Sequence, residues 1–221
     1  FTEGGTAVVL DNDVQVFDAE LSAANNFNGA TLTLERTVLA NADDSFSATG
    51  NLETLTEGGN LTLSSTTIGT VTSNSAGRLV FTFNNHASQA LVDEALQSIA
   101  YSNNSENPPA TVQINWTFND GNTGAQGTGN LLSVTGSTVV NITAVNDAPN
   151  VSPDTFSVST SVPFTIDPLA NDSDPEGSAL SVTQIIDTAN GNATTLLAKP
   201  GDTATLASGT VIELLADGQL K

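Results

Sequence analysis

Cysteine and methionine are absent from this 221-residue chain, and histidine, tryptophan and tyrosine occur once each. Without cysteine no disulfide can stabilise the fold, although that alone does not exclude secretion. Thiol nucleophiles and thiolate metal sites fall away with it. A Ser/His/Asp triad would have to use His86, and no Gly-x-Ser-x-Gly elbow, phosphate loop or zinc spacing accompanies that residue. Basic residues are nearly as scarce: Arg36, Arg78, Lys199 and Lys221 stand against 24 acidic residues, a formal net charge of -20. Nucleic-acid binding rests on basic residues that neutralise phosphates, and an anionic membrane repels so acidic a surface. Nucleic acid and membrane insertion are therefore set aside. No apolar run reaches membrane length and no signal peptide is visible, so the chain reads as a soluble, excised piece. Tyr101 and Trp116 are too few for a sugar-stacking platform. The acids gather in loops rather than around an aromatic cleft, which argues against paired-carboxylate glycoside cleavage and for a non-enzymatic protein.

What remains is rich in Thr, Ser, Asn and Gly, with apolar residues in short alternating runs, the mark of many short strands joined by polar turns. Alternation is clear in 30–34, 61–63, 79–83 and 112–118, and again at Val140, Ile142 and Ala144. Val112, Ile114, Trp116 and Phe118 fall on one face of a strand, which predicts an interior strand that carries the tryptophan into the core. Asn28-Gly29 and Asp120-Gly121 are turn dipeptides. One segment has a different period: Leu91, Ala95 and Ile99 are spaced by four, with Val92 and Leu96 widening the stripe. This predicts one short helix over 88–100, capped by Asn85 or Ser88. The threonine-rich run from Thr62 to Thr72 lacks the regular repeat of a flat binding array and reads as solvent-facing strand.

From Asn150 the pattern restarts. Strands are expected at 156–158, 163–166, 180–185 and 211–215, with a turn at Asp217-Gly218 and a further strand beginning at Gln219-Leu220, so that the second unit reads as truncated with an open sheet edge. The spacing from Phe1 to Asp18-Ala19-Glu20 is echoed from Phe156 to Asp172-Ser173-Asp174, as in two tandem modules of one plan. The division expected is 1–148 and 149–221. Near it lie Val145-Asn146-Asp147-Ala148-Pro149 and the loop Asn171-Asp172-Ser173-Asp174-Pro175-Glu176-Gly177. Clustered carboxylates, Asn carbonyls and backbone carbonyls on short loops are the oxygen ligands a hard cation such as Ca2+ requires. A solvated turn is the competing reading of Asp172-Ser173-Asp174.

At these residues, and at Thr2-Glu3-Gly4-Gly5, Val16-Phe17-Asp18-Ala19-Glu20-Leu21, Ile99-Ala100-Tyr101-Ser102-Asn103 and Trp116-Thr117-Phe118-Asn119-Asp120-Gly121, the chain resembles the cadherin-like and bacterial Ig-like tandem modules of large secreted adhesins, including RTX-type ones. The resemblance implies an all-β fold of two tandem Ig-like or cadherin-like β-sandwiches. It also implies an extracellular, cell-surface location, and calcium at each junction between modules. Carried over by position, Asn146 and Asp147 of the linker and Asp172 and Asp174 of the second module would hold the ion. Glu3, with Asn103 or Glu106, would be the preceding module's share. Asp18, Glu20 and Asp120 would serve a junction with an upstream module. The cadherin linker D-x-N-D-N-A-P is present only as Asn146-Asp147-Ala148-Pro149. The implied partners are neighbouring modules of the same chain and, through other domains, a surface glycan or protein. The implied work is calcium-stiffened extension of an adhesin in cell adhesion or biofilm attachment. Two other classes stay open: a module that itself grips a glycan or peptide, and an accessory domain of a secreted polysaccharide-degrading enzyme.

Overall fold

The computed structural model describes residues 1–124, 130–157 and 162–221. The chain is mostly β and divides into two compact units, Phe1–Val145 and Asn146–Lys221. No helix among the described residues is long and apolar enough to cross a membrane.

In the first unit the elements run β1 (Val8–Val9), α1 (Ala19–Ala24), β2 (Thr31–Arg36), β3 (Asp44–Ala48), β4 (Asn60–Leu63), β5 (Thr66–Ser75), β6 (Arg78–Phe83), α2 (Gln89–Gln97), β7 (Ile99–Asn103), β8 (Thr111–Asn119) and β9 (Ser133–Asn141). Six of the strands form an antiparallel sheet ordered β4-β5-β6-β2-β8-β9, and three form a second, β1-β7-β3. Alternation determines the facing: Leu32 and Leu34, Leu79 and Phe81, and Ile114, Trp116 and Phe118 turn inward and are buried together with Phe46, Ile99 and Tyr101 of the smaller sheet. The Trp116 indole N–H finds the Thr138 hydroxyl at 3.0 Å, which spares the core an unsatisfied donor. β8 lies between β2 and β9, as its uniformly apolar inner face predicts.

Helix α2 begins with Ser88 as its N-cap, the side chain accepting the Leu91 N–H, and buries Val92, Ala95 and Leu96. It stops at Gln97, however. Ile99 opens β7, where backbone pairing with Ala48 and burial at the centre of the small sheet override the helical spacing. The structure also adds a six-residue helix, α1, capped by Asp18, whose carboxylate accepts the N–H groups of Glu20 and Leu21. Residues 1–3 add to the sheet beyond β9: Thr2 bridges Thr143 in parallel, Glu3 N–H donates to Thr143 O at 3.0 Å, and Thr143 N–H to Phe1 O at 2.9 Å.

The second unit contains two hairpins, β10 (Gln184–Asp187) with β11 (Ala193–Leu196), and β12 (Thr203–Thr205) with β13 (Val211–Glu213). Its buried residues are Leu197, Ala204, Leu214 and Leu220, with Ile166, Val182, Ile185 and Ile212 packed against them. Leu220 bridges both Ile166 and Leu214, and the Asp217-Gly218 turn closes with Gly218 N–H on Leu215 O at 3.1 Å. Several expected strands are shorter than the sequence suggests. Only Ile166 of 163–166 pairs, 180–185 becomes a strand starting at Gln184, and Phe156 and Ser157 lie in none. Val158 is outside the described residues. Val162 and Phe164 remain exposed, so the apolar character that suggested a strand there is not matched by a partner among the described residues.

Candidate metal centre

Each unit gathers carboxylates near the point where the chain passes from one to the other. In the first unit the Glu3 side chain turns back on the last residues: its Oε2 accepts the Val145 N–H at 2.7 Å. The other oxygen, Oε1, is buried and accepts no hydrogen bond. Glu106, exposed in the loop after β7, places a carboxylate oxygen within 4.8 Å of Glu3's.

In the second unit the acidic loop folds on itself. Asn150 and Ser173 exchange backbone hydrogen bonds at 2.8 and 3.0 Å, and Asp172 Oδ1 accepts the Ser152 N–H at 2.8 Å, so the loop is tied to the start of the unit. Asp174 Oδ1 accepts the N–H groups of Glu176 at 3.1 Å and Ser178 at 2.9 Å. Those donors, Ser178 first, hold the Asp174 carboxyl below its ordinary pKa. Glu176, two residues on, reaches back so that its Oε2 accepts the Asp147 N–H at 3.4 Å. Burial, and secondarily the charge of Asp174, push the Glu176 carboxyl up. Glu176 Oε1 and Asp147 Oδ2 are both buried and without a donor.

These orphaned oxygens are what tests the fit. A buried anionic acceptor without a donor is costly to keep, and carboxylates forced together repel. A hard cation that takes only oxygen ligands would satisfy both conditions, and nothing softer than oxygen is offered. Within the second unit the residues that fit such an ion are Asp147 and Glu176, with Asp174 in the same loop, and within the first unit they are Glu3 and Glu106.

The other residues singled out from the sequence have other surroundings. Asn146 is exposed, its amide on the Asp147 carbonyl at 3.1 Å. Asn103 is buried in the first unit, donating to Asp44 Oδ1 at 2.9 Å and accepting the Ser105 N–H at 3.1 Å. Asp18 caps α1 and Glu20 lies exposed in its first turn. Asp120 is buried at the end of β8, its Oδ1 accepting the N–H groups of Asn122 and Leu132. By the β8–β9 register, that is the opposite end of β8 from Asn141 and the Glu3 pairing. His86 is exposed in the turn before α2. Glu176 was missed as a ligand in the sequence, although it stands in the same Asp-Pro-Glu-Gly loop as Asp174.

Residues 146–217 match the family of bacterial Ig domains. The match starts at the first residue of the second unit and covers nearly all of it, which supports a bacterial Ig-like module there. No curated protein and no solved structure matches the chain. Asp147, Asp174 and Glu176 all fall within the matched span.

Proposed function

We propose that this chain is a pair of calcium-stiffened extender modules of a bacterial cell-surface adhesin, and that it is not an enzyme. The observation that carries the reading is the set of orphaned buried carboxylate oxygens on Glu3, Asp147 and Glu176. Glu3 grips the Val145 N–H, Asp147 follows two peptide units later in the chain, about 7.6 Å at most between Cα atoms, and Glu176 accepts the Asp147 N–H. With calcium bound, the linker carboxylate Asp147 and the loop carboxylates Asp174 and Glu176 have a charge partner. Without it they repel, and the connection flexes. Stiff modules in tandem would project a distant binding domain away from the cell for adhesion or biofilm attachment. The chain's own acidic, cysteine-free composition supports this, since a cation can take the stiffening role that disulfides fill elsewhere.

The test with the sharpest sign is Glu176→Gln. In the presence of a chelator the substitution removes a buried, repelled charge, so the melting temperature of the Ig-like unit rises. In calcium it removes a ligand, so the calcium-induced rise shrinks. A loss of stability in both conditions would sink the assignment of Glu176 as a ligand. Small-angle scattering of the whole chain should show a narrower spread of dimensions with calcium than with chelator, and magnesium, which demands tight octahedral geometry, should replace it poorly.

A further inference from the structure

We propose that the free edge of β9 pairs with the same edge of a second copy of this chain, antiparallel and about a twofold axis at Gly136. The six-stranded sheet ends in β4 on one side and β9 on the other. At β4 the chain covers its own edge: Glu53 N–H donates to Thr62 O at 2.9 Å, Ser64 N–H to Asn51 O at 3.0 Å, and Leu52 bridges Leu63. At β9 the cover is partial. Ile142 N–H turns to Ala110 O on the β8 side, whereas Asn141 O accepts from the Phe1 ammonium at 2.9 Å and Thr143 N–H donates to Phe1 O, so the odd-numbered residues present their backbone to the free edge. Alternation carries this back along the strand. The N–H and C=O groups of Ser133, Thr135, Ser137 and Val139 point out of the sheet edge, and no strand among the described residues meets them.

Such a row is a template for another strand, and the usual protections are missing from it. Ser133 to Val139 holds no charge and no proline, and its pairing with β8 runs without a bulge. The symmetry of this stretch selects a second copy. Folding it about Gly136 sets Thr135 against Ser137, Val134 against Thr138 and Ser133 against Val139 of the other copy, so that hydroxyls meet at the centre. Asn141, already engaged by Phe1, falls outside that pairing, whereas an axis at Ser137 would need it opposite Ser133. Val134 adds an apolar reason: it lies on the core-facing side opposite Phe118, yet is 62% exposed, and a second copy would lay its Thr138 beside it. Antiparallel pairing runs the two chains in opposite directions along the contact, which suits chains projecting from facing surfaces. That consequence rests on the adhesin reading; the pairing does not.

Sedimentation of the whole chain is run in chelator, which removes calcium, and in high salt, which screens the repulsion between two copies of net charge -20. A concentration-dependent dimer is expected. Ser137→Pro removes an N–H that β8 does not use, and should weaken the dimer roughly tenfold or more at an unchanged melting temperature. The register has its own test, because the chain is cysteine-free and Gly136→Cys supplies a sole thiol. A Cβ there meets nothing within 4 Å in the single chain, and across the axis the two Cα atoms of such a non-hydrogen-bonded pair lie about 4.5 Å apart, within disulfide reach. It should oxidise to a covalent dimer far faster than Val139→Cys, whose twin lies about 20 Å away. A monomer at every concentration overturns the proposal. So does growth beyond the dimer, which would mean pairing with a different edge, a dimer indifferent to Ser137→Pro, or equal cross-linking of the two thiols. If Ser137→Pro does not fold, Thr135→Glu/Ser137→Glu takes its place, must show the same loss, and must pair again when mixed with Thr135→Lys/Ser137→Lys.

Discussion

Replacing Asp44 by alanine is expected to destabilise the first unit by about 3–5 kcal/mol, the cost of leaving one member of a buried ion pair without its partner. Asp44 lies inside the sandwich on β3, its side chain fully buried. The Arg36 guanidinium on β2 reaches it with two N–H groups, the Nη2 contact at 2.8 Å, while the Tyr101 hydroxyl donates at 2.6 Å and Asn103 at 2.9 Å, both from β7. The carboxylate thus ties the six-stranded sheet to the three-stranded one. Burial, and then the hydrogen bond to Asp44, push the Tyr101 phenol up, and the hydrogen bond to the Asp44 carboxylate pushes Arg36 up, so the guanidinium stays charged. Tyr101→Phe removes one hydrogen bond to a charged group and should cost about 1.5–3 kcal/mol. Arg36→Met combined with Asp44→Leu should recover most of the Asp44→Ala loss, because removing both charges removes the desolvation penalty as well. Trp116 is the sole tryptophan and sits in this unit's core, so urea unfolding followed by its fluorescence reports on this unit alone. A cost below about 1 kcal/mol for Asp44→Ala would place the ion pair outside the stabilising network.

The second large effect is expected at Gly121. Its φ of +67° is one that side-chain-bearing residues rarely adopt, and a Cβ there would sit 2.1 Å from the carbonyl oxygen of Gly29 and 2.8 Å from the nitrogen of Ala30. Backbone atoms cannot swing aside as a flexible side chain can. Gly121→Ala must therefore separate the start of β2 from the end of β8, in addition to about 1–3 kcal/mol for the backbone conformation itself. Gly4 offers the control: its φ is +65°, but nothing lies within 4 Å of where its Cβ would be. Gly4→Ala should show only the conformational cost, and the difference between the two variants in urea unfolding measures the clash. Equal losses would mean that the close approach of Gly29 and Gly121 is not rigid.

The strands that were legible in the sequence are those whose inward positions are all apolar. β2, β6 and β8 alternate cleanly because a single core covers one face of each. β3 and β7 were hidden for the opposite reason: their inward rows include Asp44 and Asn103, polar residues that only the Arg36 and Tyr101 network makes tolerable in a core. β5 was legible as strand only through the run to Thr72, without its inward row of Ile68 and Val71, because the register shift between Val71 and Ser73 breaks the period of two. Helix α1 was missed because six residues give too little periodicity, although Asp18 is a residue type favoured as an N-cap. In the candidate site, Glu3, Glu106, Asp147 and Asp174 could be chosen by their place in an ordered set of motifs. Glu176 could not, because what singles it out is the backward reach of its side chain to the Asp147 N–H, a feature of folding rather than of spacing.

The most direct measurement of the central claim is calcium titration calorimetry of the whole chain, with Asp147→Ala, Asp174→Ala and, as a cap outside the group, Asp18→Ala. The account predicts binding with a dissociation constant on the order of 10⁻⁴ to 10⁻³ M, the range of extracellular sites. At ~100 times that concentration the folded state should gain about 2.7 kcal/mol by mass action. Binding should be lost in the Asp147 and Asp174 variants while each unit stays folded, and kept in Asp18→Ala. No calcium heat in the unsubstituted chain, or heat that persists unchanged in both Asp147→Ala and Asp174→Ala, would contradict it.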